Sequence, residues 1–178
     1  MRPAGSAFRR MMIALALLLS VPVLARAETI DRIMAVVGGQ PITLSDVNAA
    51  LLFRFVEPPP GARDALAYAL DRSIERTLML SEVDRFQPPE PAPIEISRRV
   101  EEIEQRAGSA EAFARALAVT GLTREHVQRH IRDDLRIATY LNQRFGANAE
   151  SPERGTAIAA WIAEIRRRAE VIVQYQPR

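Results

Sequence analysis

The chain has 178 residues, no cysteine, 24 basic residues that are all arginine and 22 acidic ones, for a formal charge of +2. Without cysteine there is no disulfide framework, no thiolate metal centre and no thiol nucleophile. Stability must therefore come from apolar packing, and a chain 48% hydrophobic is long enough to build one core domain.

The first 27 residues read as a cleavable signal peptide. Arg2, Arg9 and Arg10 form a positive start, Met11 to Leu24 is apolar apart from Ser20 and Pro22, and Ala25-Arg26-Ala27 places small residues where a peptidase needs them. Cleavage is expected near Ala27–Glu28, and a periplasmic location follows. The apolar run falls short of the ~20 residues that span a bilayer. An uncleaved anchor is the alternative reading, and stable membrane insertion is not expected. Removing the leader takes four arginines away, leaving 20 against 22 acidic residues. The precursor's basicity is thus no sign of nucleic-acid binding.

Next come two apolar, β-branched runs, Thr29–Val37 and Gln40–Thr43, around Gly38-Gly39. Paired glycines supply the positive φ of a tight hairpin turn, and Pro41 marks the second strand as short or an edge. Thr43-Leu-Ser-Asp46 is a capping-box pattern opening a first helix that runs to about Val56, with Ser45 as the other possible cap. Pro58-Pro59-Pro60-Gly61 stops it. A second helix is predicted over about Ala62–Phe86 from Leu66, Leu70, Ile74 and Leu78 at four-residue spacing. The proline-rich stretch Pro88–Pro93 is an extended connector.

A third helix spans roughly Ile94–Arg106. A short fourth follows Ser109 and carries Phe113, with Gly121 closing it, and Thr123 caps a fifth over Arg124–Phe145. Residues 146–155 read as a polar linker. A last helix covers Thr156–Ala169, carrying Trp161 as a core anchor and ending in Arg166-Arg167-Arg168, where cations suit the helix dipole. Val171–Tyr175 reads as a strand whose natural partner is the N-terminal hairpin, so the two ends of the mature chain should pair.

Residues that could carry chemistry are few. His126 and His130 share one helical face, a spacing that can serve a metal, but a site needs further ligands and HExxH is absent. No GxSxG elbow, phosphate loop or dinucleotide fingerprint occurs. The acidic residues Glu95, Glu101, Glu102 and Glu104 read as a solvated face. No cofactor, no metal and no catalytic residue is expected.

The order of these blocks resembles the SurA-type periplasmic chaperones. Ile30–Val37, a two-residue turn and Pro41–Val47 are similar to the start of that family's mature chains. Arg72–Leu80 and Gly121–Leu135 resemble its second and later helices, and Trp161 with Arg166–Val173 resembles its returning C-terminal helix and strand. The family usually carries parvulin-type prolyl isomerase domains, and the ten residues 146–155 leave no room for the ~100 of an ordinary domain. The resemblance implies a mostly α fold: a SurA N-terminal-like helical domain over 28–145, the linker 146–155 in place of the isomerase, and residues 156–178 packing back as helix and strand. A small N-terminal hairpin would be joined by the C-terminal strand.

It further implies an ATP-independent holdase for unfolded or nascent exported polypeptides, outer-membrane proteins among them. Phe53, Phe55, Val56, Phe86, Phe113 and Tyr140 are its candidate client-binding residues. A second reading is a non-catalytic adaptor or dimerisation module, working as a homodimer or with a separate isomerase. A third, a prolyl isomerase in its own right, predicts accelerated cis–trans exchange, and none is expected.

Overall fold

The computed structural model describes residues 31–177, and the leader reading of residues 1–27 lies outside them. Strands β1 (Ile33–Val37) and β2 (Gln40–Thr43) form the hairpin, joined by Gly38 and Gly39 at φ of 54° and 82°. Both turn residues sit in the left-handed region, where a Cβ would be strained. Val36 faces Pro41 and Val37 faces Gln40, with a bulge between Ile33 and Ala35. At the far end of the chain, β3 (Val171–Val173) pairs antiparallel with β1, placing Val36 opposite Ile172. The sheet order is β2-β1-β3, so the strand that starts the domain becomes its centre only when the last strand arrives. β3 is shorter than the expected run to Tyr175. After Val173 the amides of Gln174 and Tyr175 both turn to the Met34 carbonyl, at 2.9 and 3.1 Å.

The molecule is otherwise helical. α1 (Leu44–Leu52) starts at the capping box: Asp46 accepts the Thr43 amide at 2.9 Å, and the Thr43 hydroxyl accepts the Asp46 amide at 3.3 Å. It ends four residues before the expected Val56, because Arg54 turns to φ 55° and breaks the helical ladder. α2 (Ala65–Phe86) begins three residues later than Ala62, where Asp64 accepts the Ala67 amide at 2.8 Å. α3 (Pro93–Arg106), α4 (Ala110–Thr120) and α5 (Arg124–Phe145) follow. Ser109 caps α4, and Gly121 at φ 69° closes it. α6 (Pro152–Arg168) takes up part of the expected 146–155 linker, since Ser151 caps it and Pro152 sits in the first turn, where its missing N–H costs nothing.

Two apolar clusters hold these elements. The larger joins the inner sheet face (Met34, Ala35, Val37, Ile42) to Ile74 and Leu78 of α2, Ile137 and Tyr140 of α5, and Trp161 and Ile165 of α6. The smaller gathers Ala49 and Phe53 with Val100 and Ile103 of α3, Phe113 of α4 and Val127 of α5. α1 and α5 belong to both. Val47 turns to the first cluster and Ala49 to the second, while α5 gives Val127 to one and, three turns on, Ile137 to the other.

Charged groups fasten the edges. Arg166 donates to Asp71 at 2.6 Å and pins α6 to α2. Arg136, 8% exposed, reaches Asp84 at 2.9 Å and Glu90 at 3.4 Å, holding the proline connector onto α5. Trp161 is buried against Tyr140 and Phe145, each 5.6 Å between ring centroids, with the Arg144 guanidinium over its ring. No described helix is long and apolar enough to cross a membrane.

Candidate functional site

The six apolar residues singled out from the sequence fall into three environments. Phe53, Phe113 and Tyr140 are 4–5% exposed and belong to the two cores, so their surfaces are already covered. Phe86 is 61% exposed at the end of α2, its ring 5.2 Å from that of Tyr140. Phe55 and Val56 are half-buried and line a groove. The split between Phe53 and Phe55 follows from the broken helix. Past Leu52 the chain is no longer helical, and the two rings stay 5.7 Å apart, Phe53 turned to Phe113 in the smaller core and Phe55 to His130 at the groove.

The groove runs between the Phe53–Val56 turn, α2 and α5, with a volume of about 430 Å³. Its walls are Phe55, Val56, Tyr68, Met79, Ile137 and Leu141, and its rim carries Glu57, Arg72, Arg76 and Asp134. A second depression of about 330 Å³ lies on the other side of Phe55, reaching Pro41, Leu122, His126 and Asp133. Both share Ala50, Phe55, Ser73, Arg76 and His130.

The rim arginines are each matched to carboxylates. Arg76 donates through Nε to Asp134 at 2.7 Å and through Nη2 to the His130 carbonyl at 3.0 Å. His130 Nε2 lies 3.3 Å from the other Asp134 oxygen. Arg72 pairs with Asp71 at 3.0 Å and Glu75 at 2.8 Å. Burial works to raise the Asp134 carboxyl, but the His130 hydrogen bond and the adjacent Arg76 charge hold it below its ordinary 3.8. Burial wins at Glu75, whose carboxyl is raised. With each arginine matched to carboxylates, the rim offers no free cation to an anionic ligand, and the apolar walls are what remains for binding.

The two histidines have separate employments. His126 Nδ1 accepts the Thr123 amide at 3.1 Å at the start of α5. His130 stacks on Phe55. Among the described residues, no group of three or more His, Asp or Glu side chains is placed to hold a metal ion. The groove's serine, Ser73, donates its hydroxyl to the Ala69 carbonyl at 2.8 Å, a bond internal to the helix rather than an activating one. Glu102 pairs with Arg99, and Glu104 with Arg124, so two of the four acidic residues of α3 are neutralised locally.

Sequence reasoning missed Arg76, Met79, His130, Asp134 and Leu141 as groove residues. Nothing in the order of residues joins Arg76 to Asp134, 58 positions apart. No protein-family model matches this chain, and no curated protein matches it.

Proposed function

We propose that the chain is an ATP-independent chaperone of the periplasm, a holdase that binds unfolded or nascent exported polypeptides without chemical change. The observation that carries this reading is the open apolar groove between the Phe53–Val56 turn, α2 and α5, whose rim arginines are already paired with carboxylates. Such a surface favours apolar client segments by desolvation and discriminates little by charge. It needs no energy source, because binding an unfolded chain draws it out of the aggregating pool by mass action. The leader pattern and the likeness to the SurA-type chaperones support the same reading, and the chain is taken as non-catalytic on the groove's chemistry.

The test is light scattering of an unfolded outer-membrane protein diluted into buffer with the mature chain. Suppression at a few-fold molar excess is expected, and Val56→Glu, which places a charge in the groove wall, should weaken it severalfold. Aggregation unchanged at that excess would count against the holdase. The adaptor or dimerisation reading draws on a different feature. β3 is an edge strand, and its Ile172 and Val173 are half-exposed, so a partner strand could extend the sheet. Sedimentation of the mature chain across a concentration series separates the two, since this reading requires a dimer or complex.

A further inference from the structure

Phe55 and His130 lie face to face, ring centroids 3.9 Å apart and planes within 15° of parallel. The imidazole is held by its edge through Asp134 and by its backbone through Arg76, so α5 and α2 fix its position. Phe55 belongs to the irregular segment between α1 and α2, directly after Arg54 at φ 55°, and its ring also lies 5.7 Å from that of the buried Phe53. Both depressions include Phe55 and His130 in their lining.

We propose that the Phe55–His130 stack is a latch. Closed, Phe55 divides one groove into two shallow depressions; released, it joins them into a continuous channel. That channel passes from Leu141 and Met79, across His130, to Leu122 and Pro41 beside the hairpin. The fixed side is His130 with Asp134 and Arg76, and the moving side is the Phe55 side chain. An aromatic pair worth about 1 kcal/mol leaves the open form populated at about a sixth. A ligand that needs the joined channel therefore binds about six-fold more weakly than it would to a chain with the latch removed. As regulation of the groove this rests on the holdase reading, but the latch itself can be tested without a client.

The chain has no cysteine, so two introduced thiols can be joined without competition. Nile red, an uncharged apolar dye, serves as the probe on the mature chain. Phe55→Leu, which keeps apolar bulk but loses the flat face, should bind the dye about six-fold more tightly than the parent. The double variant Phe55→Cys/His130→Cys should bind equally well when unlinked and fall to the parent level or below when joined by a short bifunctional crosslinker. In the parent, the His130 ring protons should resonate upfield under the Phe55 ring current and lose that shift as the dye saturates. Equal dye affinity in parent and Phe55→Leu, or in linked and unlinked protein, overturns the latch. If Phe55→Leu does not fold, the linked and unlinked forms of the double variant decide alone. A latch that passes these tests while client aggregation is unaffected leaves the device standing and removes the holdase. Client holding by a parent whose dye affinity equals that of Phe55→Leu removes the latch and leaves the holdase.

Discussion

Asp134 is asked to do three things at once: accept from Arg76, face His130 and remain charged beside an apolar groove. Its carboxyl is depressed despite burial, and so are those of Asp31 and Asp71: desolvation is the largest single influence there, but the hydrogen bonds from Thr43 and Ser45, and the bonds and charges of Arg166 and Arg72, together outweigh it. A group depressed in the folded state binds its proton more weakly there than in the unfolded chain. Its stabilising contribution is complete above the ordinary value of 3.8 and is lost as pH falls through the lower folded value. Thermal melts from about pH 6 to about pH 2 should show a steep acid limb, shallower in Asp134→Asn, which should also be the less stable protein at neutral pH. An unchanged acid limb in the variant would remove Asp134 from this account. None of this was readable beforehand. Asp133 and Asp134 are adjacent acidic residues on one helix, and only the approach of α2 decides which of them meets Arg76 at close range.

At the scale of single elements, local chemistry set most boundaries. Thr43 and Asp46 start α1, Ser109 starts α4, Gly121 ends it, and α5 occupies Arg124–Phe145 as its pattern predicts. The Gly38-Gly39 turn is similarly local, because its two positive φ values suit glycine and no neighbouring atom crowds either Cβ position. Gly39→Val should therefore destabilise the fold by about 1–2 kcal/mol through backbone strain alone, read as a lower urea midpoint with unchanged slope. A neutral result would mean that the turn can change type at no cost. Of the boundaries that shifted, two show why. The apolar run of α1 continues through Phe53 and Phe55, so periodicity carries the helix onward, whereas Arg54 at φ 55° ends it and leaves both rings on the smaller cluster, Phe53 buried and Phe55 facing His130. At α6 the polar residues before Thr156 read as linker, yet Ser151 and Pro152 are a sound helix start.

Across the whole molecule, the division into two clusters predicts uneven stability. α3 and α4 are held by the smaller cluster, in which Phe113 stands edge-on to Phe53 at 5.8 Å. Phe113→Ala should cost about 3–5 kcal/mol and raise amide exchange in α3 and α4 first, leaving the sheet, α2 and α6 protected. Exchange rising evenly through the chain would mean that the clusters fold as one. The sequence by itself determined the mostly helical class, the capped starts, the hairpin turn and the expectation that the last strand pairs with the first. These rest on neighbours a few residues apart, or on a strand that had only one available partner. Tertiary structure alone decided that β1 is central, that Phe53, Phe113 and Tyr140 are core, and that Phe55 closes on His130. Each of those outcomes depends on which helix faces arrive together in space, and a pattern of residue types assigns a face its polarity without naming its partner.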